Sequence, residues 1–156
     1  MRTKVSKLSV TIILLIVMKL IASCTADSCF EETTSFLNAT FYKTDPYKPL
    51  APDSITIFGV GKETNKLYSK SLNTLTIKLQ LDASSDTCRF VMKINNKTDT
   101  LKFIYSSYPH LISKECGITF FFTLDTFRLS SNVVNSIQII NKNITTLNEE
   151  NIRILF

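Results

Sequence analysis

The chain has 156 residues, of which 44% are hydrophobic and 20% charged, and its 18 basic and 13 acidic side chains give a formal net charge of +5. Four of the basic residues precede Cys24, so the rest of the chain is close to neutral, and its basic and acidic side chains are interspersed. Nucleic-acid binding requires a clustered basic face, so the composition does not favour a nucleic-acid partner.

The start of the chain has the composition of a secretory signal peptide. Basic side chains precede a largely apolar run over residues 8–18, which is shorter than the roughly twenty residues that a helix needs to span a bilayer. Small residues, Ala22 and Ser23, then precede Cys24. The basic side chains are those of Arg2, Lys4 and Lys7.

Cys24 makes this segment more specific, because an aliphatic residue, two small residues and a cysteine form a bacterial lipobox. We predict a cleaved signal peptide over 1–23, a lipidated Cys24 that begins a short tether over 24–28, and a single β-rich domain over 29–156. The charge of Lys19 fits an apolar segment poorly. Two alternatives stay open: a chance cysteine near an ordinary cleavage site, and an uncleaved membrane anchor.

Alternating apolar and polar residues predict strands through the rest of the chain. The clearest is 74–81, where Leu75, Ile77, Leu79 and Leu81 share one face. The other predicted strands are 35–43, 55–60, 88–94, 101–105, 118–124, 133–140 and 152–156. Seven to nine strands without a long amphipathic helix predict an all-β fold, an antiparallel β-sandwich of immunoglobulin-like or similar type, with a small barrel as the alternative.

The cysteines predict one disulfide in an exported domain. Period-two alternation places Cys88 on the same strand face as Phe90 and Met92, where a buried thiol behaves as a small hydrophobe. This leaves Cys29 and Cys116 as the predicted pair. Three reduced, unrelated thiols are the alternative.

No motif predicts catalysis, a cofactor or a metal site. The single histidine, His110, has no nearby nucleophile motif, and the spacing of Asp82 and Asp86 does not match a calcium-binding loop. Four tyrosines could form a stacking platform for a sugar or peptide, although packing is the simpler interpretation. They are Tyr42, Tyr47, Tyr105 and Tyr108.

Several short segments occur in a characteristic order. They are Ser23 and Cys24, Cys29, Thr40 to Tyr42, 55–61, 98–103, Cys116 and Gly117, and 151–156. In this order they resemble the small Bacteroidota lipoproteins grouped as a family of unknown function (domain of unknown function 6452). The resemblance implies an envelope lipoprotein with a β-rich domain and supports the pairing of Cys29 with Cys116. It implies no activity and no ligand.

The spacing of the first two exported cysteines limits where the domain can work. Five residue steps of extended chain span at most about 17 Å, so a lipid on Cys24 would hold a fold pinned at Cys29 against the membrane surface. We predict a non-enzymatic interaction or structural module with a nearby envelope protein as its partner. The alternative is a glycan- or small-ligand-binding lipoprotein. Thr25, the residue after the lipidated cysteine, favours sorting to the outer membrane. Asp27 is the only acidic residue that follows closely, so a strong signal for export to the cell surface is missing, which favours the periplasmic face.

Overall fold

Eleven β-strands and no helix make up the part of the chain that the computed structural model describes, residues 29–71 and 73–156. The predicted all-β sandwich is confirmed. The strands are β1 (Phe36–Lys43), β2 (Lys48–Pro49), β3 (Ile55–Gly59), β4 (Lys66–Ser71), β5 (Thr76–Gln80), β6 (Thr87–Ile94), β7 (Lys97–Ser113), β8 (Gly117–Leu129), β9 (Ser136–Ile139), β10 (Asn143–Ile144) and β11 (Ile152–Leu155). The predicted signal peptide, Cys24 and the tether lie outside the described residues.

The strands form two sheets. The six-stranded sheet has the order β10-β8-β7-β6-β3-β4 and is antiparallel throughout. The five-stranded sheet has the order β2-β1-β11-β9, and β5 also pairs with β1. Its β1 and β11 are parallel, with Ala39 opposite Ile152, whereas all its other pairs are antiparallel. The two strands of this parallel pair come from opposite ends of the described chain. Parallel neighbours require a long connecting segment, and the chain between β1 and β11 supplies it.

Both sheets contribute to one continuous apolar core within the compact unit Glu31–Phe156. The alternation predicted for 74–81 is present in β5, where Ile77 and Leu79 are fully buried and their neighbours are exposed. Leu75 lies before β5 begins and is partly exposed. Other fully buried side chains are those of Leu37, Phe41, Ile57, Met92, Leu101 and Phe103.

Asp99 is a buried carboxylate at the start of β7, where its face of the strand meets the core. It accepts hydrogen bonds from the Ser130 hydroxyl at 2.6 Å and from the backbone N–H groups of Asn132, Val133 and Val134 at 2.6–2.8 Å. Burial alone would raise the pKa of Asp99, but these hydrogen bonds together hold that pKa below its usual value. Asp99 therefore fixes the connection between β8 and β9.

Asn151 has a similar role beside β11. Its side-chain oxygen accepts a hydrogen bond from the backbone N–H of Asn38, and its amide donates to the carbonyl oxygens of Asn141 and Asn143. The side chain of Asn38 in turn donates to the carbonyl oxygen of Glu149. These bonds satisfy buried polar groups and join β1 to the chain around β10.

Two features of the six-stranded sheet differ from the sequence prediction. The strands predicted over 101–105 and 118–124 are much longer, because cross-strand pairing continues from Leu101 opposite Leu129 to Ser113 opposite Gly117. β4 and the two-residue β10 were also not predicted from the sequence, and the residues of β4 are mostly polar and carry no clear alternation. Tyr68 nevertheless turns inward from β4 and accepts a hydrogen bond from the backbone N–H of Lys78. Among residues 29–71 and 73–156, no helix is long and apolar enough to cross a membrane.

Candidate functional site

The predicted disulfide between Cys29 and Cys116 is confirmed. Cys116 lies in the turn between β7 and β8, where its backbone N–H bonds the hydroxyl of Ser113 and the next residue, Gly117, adopts a φ of +76°. Positive φ suits glycine because it lacks a Cβ. Cys88 is free and half-buried against the core, as its strand phase predicts, and burial raises the pKa of its thiol.

Beyond the sandwich, β7 and β8 continue as a two-stranded hairpin end, residues 106–121, that pairs with no other described strand. Its side chains include exposed apolar groups, because no second sheet covers them. Leu111 and Ile118 face each other across the strands and are 60% and 68% exposed. Phe120, which lies on the same face of the hairpin end, is also exposed. An exposed apolar surface of this kind is typical of an interaction site.

His110 lies on the other face of the hairpin end. Its imidazole stacks on the ring of Phe121, with ring centroids 4.1 Å apart and planes 17° apart, and Tyr108 meets the same ring edge-on. No described side chain forms a hydrogen bond to His110. The structure therefore places this histidine in an aromatic cluster, directly opposite Thr119, whose hydroxyl donates a hydrogen bond to the carbonyl oxygen of Thr33.

An open cleft of about 720 Å³ is lined by the segment before β1, the end of β5, and residues of β3, β4, β6 and β8, with Arg89 among those of β6. Phe90, Phe120 and Phe122 contribute apolar surface. Ser35 also lines the cleft, and its hydroxyl is buried with no hydrogen-bond partner among the described residues. A buried hydroxyl without a hydrogen-bond partner costs free energy, and a ligand that bonded to it would remove this cost. The sequence analysis missed this cleft because its lining comes from distant segments.

Charged side chains, those of Lys62 and Asp82, also line this cleft. Asp82 accepts hydrogen bonds from the hydroxyl of Ser84 at 2.6 Å and from the Ser84 backbone N–H at 2.9 Å, and these bonds lower the pKa of Asp82. The positive charge of Lys62 adds a smaller lowering to the pKa of Asp82, and it only partly opposes the rise that burial causes in the pKa of Cys88. No group of three potential metal ligands occurs in the described residues, and Asp86 does not join Asp82 in one.

The four tyrosines do not form one platform. Tyr42 stacks on Tyr47 with centroids 5.0 Å apart, and the guanidinium of Arg153 lies over the Tyr42 ring. Tyr105 is buried in the core, where its hydroxyl bonds the backbone of Asp82, and burial raises the pKa of Tyr105 to about 12. Tyr108 belongs to the hairpin end. The four rings therefore lie in separate places, with Tyr105 in the core and Tyr47 and Tyr108 about half exposed.

A row of basic side chains crosses the outer face of the six-stranded sheet, and the sequence analysis missed it. Arg89 on β6 is directly opposite Lys102 on β7, which is directly opposite Arg128 on β8. We call these three residues the basic row. None of them forms an ion pair with another described residue. The residues are far apart along the chain, so only the strand register reveals the row.

The comparisons with known proteins identify a family but no characterised relative. No curated protein and no solved structure matches the chain. The family match starts at residue 54, so it includes Cys88, Cys116 and the basic row and omits Cys29. Over residues 54–156 the sequence matches the model of the family of unknown function DUF6452, and the chain belongs to this family.

Proposed function

We propose that this protein is an envelope lipoprotein, anchored through a lipid on Cys24, whose β-sandwich acts as a non-enzymatic interaction module close to the membrane surface. The proposal assigns it to the periplasmic face of the outer membrane. Its partner is a nearby envelope protein. The observation that supports this function best is the exposed apolar surface of the hairpin end.

The exposed apolar surface of the hairpin end is costly to hydrate. Leu111 and Ile118 lie directly opposite each other across the strands, and more than half of the surface of each residue remains exposed to water. Full transfer of a large aliphatic side chain from water to an apolar contact is favourable by about 1.5 to 3 kcal/mol, before the entropic cost of association is subtracted. A protein partner with a matching apolar surface would therefore gain affinity from this pair.

The disulfide supports a location near the anchor. Cys116 lies in the turn of the hairpin, and its partner Cys29 is five residues after Cys24. A tether of that length spans at most about 17 Å. A lipid on Cys24 would therefore hold the turn of the hairpin near the bilayer, within reach of a membrane-embedded or membrane-bound partner.

The anchor is tested by mass spectrometry of the purified protein and by fractionation of cells that express Cys24→Ala. We expect a diacylglyceryl group on Cys24 in the wild type and loss of the variant from the membrane fraction. An unmodified amino terminus, or normal membrane retention of the variant, would contradict the proposal.

The interaction surface is tested by a photo-crosslinking amino acid placed at position 111 or 118 in living cells. Position 147 is the matched control, because Leu147 is 62% exposed but lies outside the hairpin end. We expect one envelope protein to be captured from positions 111 and 118, and capture from 118 to be lost when Leu111→Ser is added. Equal capture from position 147 would count against a specific surface.

A second candidate function, the binding of a small ligand, is favoured by the cleft and by the unpaired hydroxyl of Ser35. The apolar anion anilinonaphthalene sulfonate is a suitable probe, because it combines rings with one negative charge. We expect its fluorescence to rise with the wild type and to fall with Phe120→Arg, but not with Leu147→Arg. Equal fluorescence for all three proteins would remove this candidate.

A further inference from the structure

The basic row is an unusual arrangement for three side chains that have no counter-ion in the described part of the protein. Directly opposite positions on neighbouring strands are about 4.5 to 5.5 Å apart at their Cα atoms. The Cα atoms of Arg89, Lys102 and Arg128 therefore lie within about 10 Å of one another, so three basic side chains leave the sheet side by side. Like charges directly opposite each other destabilise a sheet. The three cations nevertheless occupy adjacent positions in this sheet, although many other positions on the surrounding strands carry uncharged side chains.

The face around the row combines basic and apolar character. Val91 and Ile104 are half-buried outer-face neighbours of the row, and Lys93 adds another exposed cation on β6. Three carboxylates lie three positions along the chain from a member of the row, those of Asp86, Asp99 and Asp125. Asp99 is buried on the inner face, and none of the three forms an ion pair with the row. The face is therefore positively charged at its centre.

The outer face of the same sheet also has aromatic side chains farther along the hairpin. Tyr108, His110 and Phe121 form their cluster there, on the strand face opposite Leu111 and Ile118. Aromatic rings are favoured at the boundary between lipid and water, and basic side chains are attracted to anionic lipid headgroups. One sheet face thus carries both groups that a membrane surface would recognise.

We propose that the outer face of the six-stranded sheet docks on the anionic headgroup surface of a bilayer, with the basic row supplying the electrostatic attraction. This rests on the proposed function only for the nearness of a membrane. The occupant follows from charge complementarity, because closely spaced phosphates supply the counter-charges that the three cations lack. The sandwich would then lie along the bilayer, with the apolar pair of the hairpin end left for a protein partner.

Vesicle flotation tests this docking with the whole chain carrying Cys24→Ala, so that no acyl group contributes to binding. Vesicles contain phosphatidylcholine alone or phosphatidylcholine with phosphatidylglycerol. One variant adds Arg89→Gln, Lys102→Gln and Arg128→Gln. The matched control adds three substitutions that remove the same charge from exposed positions on the five-stranded sheet. They are Lys43→Gln, Lys48→Gln and Lys78→Gln.

Each basic side chain near an anionic surface is expected to strengthen binding about fivefold, so loss of the row should weaken binding to phosphatidylglycerol vesicles on the order of a hundredfold. The control should stay within about twofold of the parent, because its charges lie on the other sheet and are screened by salt. High salt should abolish the difference between the two variants. The parent, the basic-row variant and the control variant all contain residues 1–23, so any contribution of these residues to vesicle binding is the same in all three proteins.

Three results would overturn the proposal. Equal weakening in both variants would mean that net charge alone decides binding. Equal binding of the parent to both kinds of vesicle would mean that anionic lipid is not recognised. Stronger displacement by inorganic phosphate than by chloride at equal ionic strength would indicate a discrete phosphate site. If Cys24 proved to be unmodified, the proposed lipid anchor would be wrong, but the vesicle flotation result would still stand. If vesicle docking failed, the proposed lipid anchor would be unaffected.

Discussion

Replacing Asp99 by asparagine should destabilise the fold, because the wild-type carboxylate accepts four hydrogen bonds in a site where it is only 1% exposed. The asparagine oxygen can keep the bonds from Ser130 and Asn132. Its amide nitrogen then faces the backbone N–H groups of Val133 and Val134, which lose their acceptor. An unsatisfied buried donor costs about 1 to 3 kcal/mol, and Val133 is partly exposed, so we expect a loss of roughly 2 to 5 kcal/mol.

The loss should depend on pH with a defined sign. The folded-state pKa of Asp99 is depressed below its ordinary value of 3.8, so folding favours the ionised form. The stabilisation is therefore fully present above the unfolded pKa and is lost as pH falls through the folded value. The difference between wild type and Asp99→Asn should shrink below about pH 4.

Urea denaturation followed by circular dichroism measures this effect, because the chain has no tryptophan. Asp53→Asn is the matched control, since Asp53 is exposed and its carboxylate forms no hydrogen bond to another described residue. The control should change the free energy of unfolding by no more than about 0.5 kcal/mol. If Asp99→Asn were no more destabilising than Asp53→Asn, or if the difference did not shrink in acid, the reasoning about Asp99 would be wrong.

The disulfide, the buried tyrosine and the free thiol each lead to a measurable expectation. Replacing Cys29 and Cys116 together by serine should lower the free energy of unfolding by up to roughly 4 to 5 kcal/mol in the chain-entropy model, and equal stability of the two proteins under oxidising conditions would contradict this. Tyr105→Phe removes the hydroxyl that bonds the backbone of Asp82 and should cost about 1 to 3 kcal/mol. An ultraviolet titration of the wild type should show one tyrosine with a pKa of about 12, and this tyrosine should be absent from the titration of the variant. The stability that its raised pKa contributes is full below the ordinary pKa of about 10 and is lost as pH rises from there through about 12. Burial raises the pKa of Cys88, so iodoacetamide should modify it slowly in the native protein and rapidly in urea, and equal rates would show an unshielded thiol.

The sequence predicted the fold class and one covalent bond for a simple reason. Period-two alternation is a local property, so β5 and the core face of β6 can be recognised from a few neighbouring residues. The same alternation placed Cys88 in the core and left Cys29 and Cys116 to pair. Lipidation of Cys24 was also predicted from a local motif and stays a prediction.

Other features depended on partners that a local pattern does not contain. The polar residues of β4 become a strand because β3 supplies backbone hydrogen-bonding groups and Tyr68 reaches the core. The hairpin of β7 and β8 extends far past the predicted strands because the two strands pair with each other beyond the sandwich. The direction of β11 beside β1 likewise depends on how distant segments meet.

The amino-acid sequence by itself determined that this is a β-sandwich with a disulfide. Short stretches of chain are enough to show which alternate side chains are buried, and they also show that the thiol of Cys88 faces the core and is excluded from pairing. The tertiary structure alone decided which side chains share a surface. Arg89, Lys102 and Arg128 become neighbours only through the register of three strands, and Ser35 meets the phenylalanines of the cleft only when the two sheets pack. Register is set by the burial of whole strand faces, so these surfaces arise from the fold as a unit.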